Sequence, residues 1–388
     1  MTITPLQLTE FIRSRYRTEG GIPLHAPSFG VSERKYLMDC LDSTFVSSVG
    51  AYVDQFEEEF ARITGAIKAV SVVNGTAGLH VALRLVGVEQ GDLVLTQSLS
   101  FVATCNAIAY CGARPLFADV DRETLGLSPR AVEALLEDIA MRDENGAVCR
   151  SSGRRIRACV PMHTFGHPVD LHGLLAVCNK WGIALVEDAA EALGSLYRDR
   201  HVGNHGCIGV FSFNGNKIIT TGGGGALIFS DAQLAARARH LTTTAKQPHA
   251  WEFVHDEIGY NYRMPNINAA LGCAQLERLN SYIEAKRTLA AAYANFLQGS
   301  DLTFCVEPPG TRSNYWLCAV ICPDHTFRDV LLTELNAKGI GVRPVWMPMH
   351  QTAMYRDAPR GPLPMTEFLA DRLINLPSSP IVELDALQ

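Results

Sequence analysis

Short apolar runs alternate with segments of helical periodicity from about residue 54 to residue 245, and this alternation limits the folds open to the chain. Seven runs have the length and composition of buried strands, at 69–73, 93–96, 115–120, 158–162, 184–188, 210–213 and 225–229. Strands that alternate with helices predict successive β-α units. We therefore expect an α/β fold with a mostly parallel seven-stranded sheet and helices on both faces.

The pattern changes near residue 250, where we place a domain boundary. A large α/β domain over 1–250 would begin with a helical arm of roughly the first 20 residues, and a smaller α+β domain would occupy 251–388. Residues 267–298 have the periodicity of one long helix, whereas the polar stretch 143–158 predicts an exposed hairpin or loop. Ser128 as a cap followed by Pro129 marks the start of another helix.

The charge balance argues against a polyanionic partner. The chain has 34 Lys and Arg against 40 Asp and Glu, spread without long runs, and a net charge of -6. This balance excludes the electrostatics of nucleic-acid or membrane-surface binding and favours small-molecule partners. Because the sequence has neither a signal peptide nor an apolar run of the roughly 20 residues that span a bilayer, we expect a cytoplasmic protein.

The cysteines and histidines do not form a disulfide or metal-binding pattern. Eleven cysteines occur singly in apolar segments without a C-x-x-C pair, which is typical of reduced core residues. His163 and His167 in MHTFGHPVDLH have no Cys or carboxylate at a usual ligand spacing, and Gly166 and Pro168 indicate a loop. We expect no metal site.

Polar residues follow three of the predicted strands, at the ends where ligands bind in open parallel sheets. They are Asn74, Gly75 and Thr76 after the first strand, Asp188 at the end of the fifth, and, at the sixth, Ser212 near its end and Lys217 in the turn that follows. Each signal has a local alternative: helix capping at the first two sites and a solvent-exposed loop for Lys217. The glycines at 222–225 weigh against an exposed loop, because they permit close backbone approach.

Together the three sites meet the requirements of one cofactor, pyridoxal 5'-phosphate (PLP). A helix N-terminus with a serine hydroxyl holds a phosphate, an aspartate pairs with the ring nitrogen, and a lysine forms an imine with the aldehyde. The chain contains neither G-x-x-x-x-G-K-[ST] nor a G-x-G-x-x-G between a strand and a helix, which counts against a nucleotide cofactor.

The same region resembles a known family. The matching stretches, in order, are NGTAGLHVAL, SFVATCNAI, GARPLFADVD, HTFGHPVDL, VEDAAEALGS, GVFSFNGNK, GGGGALI and GYNYRMPNINAAL. They are similar to those of the DegT/DnrJ/EryC1/StrS sugar aminotransferases, and the likeness runs from about residue 22 to residue 380. The resemblance implies the aspartate aminotransferase-like fold (fold type I) with PLP as cofactor. Related sugar dehydratases of this family have histidine where this chain has Lys217. The lysine therefore favours transamination over dehydration.

The resemblance also assigns roles around the cofactor. Lys217 would be the Schiff-base residue, Asp188 the partner of the pyridine nitrogen, and Phe101 the ring stacked on the cofactor. The residues placed at the phosphate or beside the cofactor hydroxyl are Gly75, Thr76, Ser212 and Glu191, of which Glu191 stands where many relatives have Gln or His.

Three further positions match the family. Asn261 matches a residue that reaches the phosphate of the neighbouring subunit's cofactor, which implies a homodimer with active sites at the subunit interface. His163 and Arg263 match positions near the site. Their alternatives are a loop histidine bonded to backbone and an arginine in a structural ion pair.

The resemblance suggests L-glutamate as the amino donor and a nucleotide-linked keto sugar as the acceptor. The stretches STFVSSVGAYVDQFE, TTTAKQPHAWEFVHDEIGYNYRMPN and SNYWLCAV look most like those of enzymes that aminate C4 of a UDP-2-acetamido-2,6-dideoxy-4-hexulose. In that interpretation Ser47, Ser48, Tyr315 and Trp316 would contact the sugar or nucleotide, although the two aromatic residues could equally be packing residues.

The acceptor has alternatives. The stretch RPVWMPMHQTAMY at 343–355 departs from the UDP-sugar subgroup, and its His350 is similar to a histidine near the substrate in the wider family. Other acceptors would be a dTDP- or GDP-linked 4-keto-6-deoxyhexose or a free 8-oxo-octulosonate. A different class would be a PLP-binding regulator without turnover, which the joint presence of Lys217, Asp188 and Ser212 counts against.

Overall fold

A computed structural model describes residues 2–382, which form three sheets. In chain order the strands are β1 (Lys68–Val72), β2 (Leu93–Gln97), β3 (Arg114–Ala118), β4 (Ala140–Asp143), β5 (Gly146–Cys149), β6 (Arg155–Val160), β7 (Ala184–Asp188), β8 (Leu196–Tyr197), β9 (Arg200–His201), β10 (Ile208–Ser212), β11 (Gly225–Phe229), β12 (Thr303–Phe304), β13 (Thr311–Arg312), β14 (Cys318–Ile321), β15 (Arg343–Pro344) and β16 (Leu373–Leu376).

The main sheet contains nine strands, seven of which lie in the order β1-β11-β10-β7-β6-β2-β3. The five strands from β10 to β3 are parallel, and β11 is antiparallel to both of its neighbours. The prediction of a mostly parallel sheet is therefore confirmed. The other two strands, β4 and β5, form a hairpin that extends β6, so the polar stretch 143–158 includes strand residues as well as a turn.

Helices cover both faces of the main sheet. In chain order the helices are α1 (Pro5–Tyr16), α2 (Val31–Asp42), α3 (Ala51–Thr64), α4 (Gly75–Leu85), α5 (Val102–Tyr110), α6 (Pro129–Ile139), α7 (Leu171–Trp181), α8 (Ala232–Thr242), α9 (Asn266–Glu277), α10 (Leu279–Leu297), α11 (His325–Ala337) and α12 (Pro364–Arg372). Successive residues of β2 alternate between two apolar clusters, with Leu93 and Leu95 in one and Val94 in the other. Burial on both faces explains why the strands are continuous apolar runs.

Two predicted helix boundaries have different outcomes. Ser128 caps α6 by accepting from the Ala131 N–H, with Pro129 at the first turn, as expected. The prediction of one helix over 267–298 is wrong, because the chain breaks at Arg278 between α9 and α10. Helix α9 packs with α3 against the main sheet. The later turns of α10 instead contact the apolar core of the C-terminal part of the chain. The break at Arg278 allows both contacts.

The C-terminal part has its own core. A four-stranded sheet in the order β12-β14-β16-β15 packs with α10 and α11, and β13 joins β8 and β9 in a small third sheet. The N-terminal helix α1, which starts in a capping box at Thr4, buries Leu8 and Ile12 in this C-terminal cluster. The boundary near residue 250 stays a prediction.

Two other expectations concern the state of the cysteines and the presence of membrane-spanning helices. All eleven cysteines are free, and every one except Cys207 is buried. Among the helices of residues 2–382, none is both long and apolar enough to cross a membrane.

Candidate active site

Three turns at one edge of the main sheet line a cavity of about 250 Å³. They follow β1, β7 and β10, whose shared direction brings their carboxyl ends together. The lining residues are Asn74, Gly75, Thr76, Leu79, Phe101, Ala103, Met162, Asp188, Ala190, Glu191, Ser212, Asn214, Asn216, Lys217, Trp316 and Trp346. The structure thus brings the three predicted sites to one place.

Lys217 reaches into this cavity from the turn after β10. Its backbone N–H donates to the Asn214 carbonyl over 2.9 Å, which closes the turn. Its Nζ lies 3.3 Å from Oε1 of Glu191 and 3.9 Å from the centroid of the Trp316 ring. Only 12% of the side chain is exposed, so the lysine lies within the cavity and not in a solvent-exposed loop.

Glycines bring two backbone turns close together beside Lys217. A Cβ atom on Gly225 would lie 2.6 Å from the carbonyl carbon of Asn74, and one on Gly75 would lie 2.9 Å from Cβ of Ser212. Side chains at these positions would push the turn after β1 away from β10 and β11. Glycine is therefore needed to hold the start of α4 against Ser212.

The N-terminus of α4 provides an anion site. Asn74 caps this helix, with its Oδ1 accepting from the Ala77 N–H over 2.8 Å. Gly75 and Thr76 occupy the first turn, whose N–H groups and dipole attract a negative group. With the Ser212 hydroxyl on the same wall, this end of the cavity suits a phosphate.

Asp188 ends β7 and is almost completely buried, at 2% exposure. Its Oδ2 accepts from the Thr104 hydroxyl over 2.7 Å, and its Oδ1 accepts from the Ala190 N–H over 3.2 Å. Burial raises the pKa of the carboxyl, and the Thr104 hydrogen bond opposes this rise. The two donors fix the carboxyl on the cavity wall, where a positive group would stabilise its charged form.

Glu191 is the second buried carboxyl of the cavity. Its Oε2 accepts from the Phe165 N–H over 2.9 Å, and its Oε1 faces Lys217. Burial raises the pKa of Glu191, and the charge of Lys217 acts in the opposite direction. The carboxyl is therefore fixed beside the Lys217 amine, at the position that the resemblance gives to the neighbour of the cofactor hydroxyl.

The residues present fit PLP in shape and chemistry. The anion site at α4 suits the phosphate, the Asp188 carboxyl suits a protonated ring nitrogen, and the Lys217 amine suits the aldehyde. Phe101 lines the same cavity with 49% of its surface exposed, so its ring is available for stacking. The glycines leave room for a flat ligand between these groups.

His163 and Arg263 lie outside the cavity, each with partners of its own. His163 Nε2 lies 3.1 Å from Oε2 of Glu187, and its Nδ1 accepts from the Val169 N–H. Arg263 makes a buried ion pair with Glu57 over 2.7 Å. Both ring nitrogens of His163 are thus used by the protein, and Arg263 has the structural ion pair that was its alternative.

The predicted substrate residues divide into two groups. Trp316 lines the cavity, whereas Tyr315 packs in the C-terminal core and accepts from the Glu307 N–H. His350 is buried with its Nδ1 2.7 Å from the Ser98 hydroxyl and does not line the cavity.

Ser47, Ser48 and Asn261 also lie away from the cavity in the single chain. Ser47 and Asn261 are exposed, and Ser48 is half-buried. The Asn261 backbone pairs with Thr243, so its side chain projects from an ordered strand-like bridge. None of these three residues lines the cavity of its own chain.

Sequence reasoning missed several residues that line or support the cavity. Thr104 holds Asp188, Trp346 lines the wall, and Asn314 donates to the Glu191 and Leu193 carbonyls. Thr104 lies within the stretch SFVATCNAI, and Trp346 lies two residues before Pro348 in RPVWMPMH, so both were in segments already singled out.

Comparisons with known proteins agree with this geometry. The model of the DegT/DnrJ/EryC1/StrS aminotransferase family matches residues 27–388. A GDP-perosamine synthase from Vibrio cholerae is 38% identical over 92% of this chain and 94% of that relative. A GDP-perosamine synthase from Escherichia coli O157:H7 is 37% identical over 92% of this chain and 93% of that relative.

A solved structure supports the same assignment. The aminotransferase TlmJ from Streptoalloteichus hindustanus has a TM-score of 0.84 and 32% sequence identity with this chain. The match covers 94% of this chain and 95% of that one, so it includes the main sheet and the C-terminal part alike.

Proposed function

This chain belongs to the DegT/DnrJ/EryC1/StrS aminotransferase family, and we propose that it transfers the amino group of L-glutamate to the C4 ketone of a nucleotide-linked 4-keto-6-deoxyhexose. It is a PLP-dependent sugar aminotransferase with the type I fold, and it acts on keto intermediates of nucleotide sugars. The observation that carries the transamination chemistry is that Lys217, Asp188 and the start of α4 meet at one cavity.

The nucleotide is proposed from two lines of support. The two relatives named GDP-perosamine synthase favour a GDP-linked 4-keto-6-deoxyhexose as the first candidate. The stretches quoted above, such as SNYWLCAV, favour a UDP-2-acetamido-2,6-dideoxy-4-hexulose as the second. Both acceptors carry a ketone at C4 and a 6-deoxy carbon, so the same reaction at C4 serves both.

Lys217 is the central catalytic residue in this proposal. When bound, PLP supplies a carbonyl that carries the amino group and a ring that accepts electrons. Lys217 Nζ anchors the cofactor in the resting enzyme. As a free amine, Nζ would take up and return the proton of the donor's α-carbon. The Glu191 carboxyl and the Trp316 ring hold Nζ inside the cavity.

Asp188 would hold the ring nitrogen of PLP and favour its protonated form. A charged carboxylate next to that nitrogen favours its protonated form, and the Thr104 hydroxyl favours the charged form of Asp188. The buried position of Asp188 strengthens this pairing, because water does not screen it.

We propose that the active enzyme is a homodimer in which Asn261 reaches the cavity of the partner subunit. The loop that leads to Asn261 exposes large apolar side chains: Trp251 and Phe253 are each 78% exposed, and Ile258 is 85% exposed. Apolar side chains clustered in this way favour burial against another chain. A second copy of the chain that covers this loop would bury Asn261 and place it at the active-site cavity of that copy.

The test follows the transferred nitrogen. The purified enzyme is incubated with ¹⁵N-labelled L-glutamate and one keto sugar at a time, linked to GDP, UDP or dTDP, and with 8-oxo-octulosonate. We expect the label in a 4-amino sugar linked to GDP, detected by mass spectrometry. A protein that binds PLP but transfers no label to any acceptor would revive the regulator alternative. Lys217→Ala provides the control, in which no label is transferred.

A further inference from the structure

Asn314 lies where the C-terminal part of the chain meets the turn after β7. Its side chain is completely buried, at 0% exposure. Three loops meet at this position: 163–166, 189–195 and 313–316. A Cβ atom on Gly166 would lie 1.9 Å from Oδ1 of Asn314, so the first loop approaches the amide too closely for any residue but glycine. The amide is therefore an integral part of this junction.

Every polar group of the Asn314 side chain has a partner. Its Nδ2 donates to the Glu191 carbonyl and to the Leu193 carbonyl, each over 2.9 Å. Its Oδ1 accepts from the Trp316 N–H over 2.8 Å. An amide has two N–H donors and a carbonyl acceptor, so these partners require asparagine. The carboxylate of an aspartate would instead place an oxygen against two carbonyl oxygens.

Two of the residues that Asn314 holds also contact the Lys217 amine. Oε1 of Glu191 lies 3.3 Å from Lys217 Nζ, and the centroid of the Trp316 ring lies 3.9 Å from the same atom. The Trp316 indole N–H also donates to the Asn216 carbonyl over 2.7 Å, which fixes the residue just before Lys217. One buried amide thus connects the carboxyl, the ring and the turn that surround the lysine.

The chain between Asn314 and Trp316 needs this amide to keep its shape. Tyr315 adopts a φ of 47°, a left-handed conformation that a residue other than glycine keeps only where its surroundings hold it. The bond from the Trp316 N–H to Asn314 Oδ1 closes this turn. Without the amide the turn would relax, and the Trp316 ring would lose its place beside Lys217 Nζ.

We propose that Asn314 is a positioning residue for the reaction of the Lys217 amine with the aldehyde of PLP. It acts by fixing Glu191 and Trp316 around Nζ, and the inference rests on the proposed function, in which Nζ anchors the cofactor. None of its three side-chain bonds goes to the groups that suit the phosphate or the ring nitrogen. Asn314 should therefore affect the reactivity of the lysine and not the affinity for the rest of the cofactor.

The same junction offers a matched control in Ser195. This residue is also completely buried, and its Oγ accepts from the Asn314 backbone N–H over 3.0 Å and donates to the Gly166 carbonyl over 2.7 Å. Ser195→Ala therefore loosens the junction but leaves the three side-chain bonds of Asn314 in place. If the junction served the fold alone, variants of Asn314 and Ser195 would behave alike.

The experiment separates cofactor binding from the reaction of Lys217. Cofactor-free wild type, Asn314→Ala and Ser195→Ala are titrated by calorimetry with pyridoxamine 5'-phosphate, which has the phosphate and the ring but no aldehyde. Rapid mixing with saturating PLP then gives the limiting rate at which the visible band of the lysine-bound cofactor appears. We expect Asn314→Ala to lower this rate by about tenfold or more, because the amine is misplaced. Its affinity for pyridoxamine 5'-phosphate should stay within about threefold of wild type, since the phosphate contacts remain. Ser195→Ala should react at close to the wild-type rate.

Asn314→Asp tests one link by itself and keeps the inference testable if Asn314→Ala does not fold. The aspartate can still accept from the Trp316 N–H, but its charged form cannot donate to the two carbonyls. Burial favours the protonated form of a carboxyl, and that form regains one donor. The rate with PLP, relative to that of wild type, should therefore increase when the pH is lowered from about 8 to about 6.

Four results would overturn the inference. A wild-type limiting rate in Asn314→Ala would show that Lys217 is positioned without this amide. Equal losses in Asn314→Ala and Ser195→Ala would show that the junction supports the fold alone. A relative rate of Asn314→Asp that does not change with pH would contradict the role of the two donated bonds. If Lys217→Ala gives the same visible band with PLP as wild type, the proposed function is wrong and the inference fails with it.

Discussion

The Nζ atom of Lys217 lies 3.3 Å from Oε1 of Glu191, and both side chains are largely buried. The pair places an acid beside the amine on the cavity wall, while the Trp316 ring closes another side. Because a buried charge needs a partner, the geometry of the cofactor-free site depends on this contact.

Glu191→Gln should therefore destabilise the cofactor-free protein. The variant keeps an oxygen for the Phe165 N–H but leaves the Lys217 ammonium without its carboxylate. We expect a loss of about 1–3 kcal/mol in the free energy of unfolding, measured by urea titration. The loss should be smaller in a Lys217→Met background, since the pair is already broken there. An equal loss in both backgrounds would contradict the pairing.

Thr104→Val should shift the acid limb of the pH profile to higher pH. The Thr104 hydroxyl stabilises the charged form of Asp188, so its removal allows burial to raise the pKa of that carboxyl further. The carboxyl then protonates at higher pH, and on acidification the rate of the glutamate half-reaction should fall at a higher pH than in wild type. Thr104→Ser keeps the hydroxyl and should resemble wild type. An unmoved limb in Thr104→Val would argue against this role.

Asn261→Ala tests the shared site. If the side chain reaches the cofactor of the partner subunit, the variant should remain a dimer by sedimentation but lose PLP faster on dialysis. Asn145→Ala changes an exposed asparagine in the β4–β5 turn and should retain the cofactor normally. Equal retention in all three proteins would remove the support for a shared site.

Lys286→Met should flatten the pH dependence of stability. Burial lowers the pKa of Lys286 to about 7 in the folded chain, against 10.5 for the free side chain. Between these values the unfolded chain binds a proton that the folded chain does not, so this residue makes stability rise with pH. The urea midpoint is measured for wild type and Lys286→Met at pH 7 and at pH 9. The value for wild type minus the value for the variant should be larger at pH 9 than at pH 7. A constant difference across this window would mean that Lys286 stays charged when buried.

The main sheet and the centre of the site could be predicted because both follow from local patterns. Asp188 and Ser212 end apolar strands and Lys217 lies in the turn after one of them, and parallel strands bring their carboxyl ends together. The N-cap at Asn74 is likewise a local signal. No knowledge of distant contacts was needed for these residues.

The parts that could not be predicted depend on distant contacts. Thr104 holds Asp188 across 84 positions of sequence, and no spacing rule identifies that bond. Tyr315 adopts a left-handed φ of 47°, so the chain turns Tyr315 into the core while Trp316 reaches the cavity. The helix break at Arg278 also depends on which neighbour each half packs against.

The most direct test of the central claim is the second half-reaction, followed by visible absorbance. The enzyme is first converted with L-glutamate, the excess donor is removed, and keto sugars are added one at a time. We predict that the absorbance band of the lysine-bound cofactor returns with a GDP-linked 4-keto-6-deoxyhexose. A band that is lost with glutamate but returns with no nucleotide-linked 4-keto-6-deoxy sugar would contradict the account.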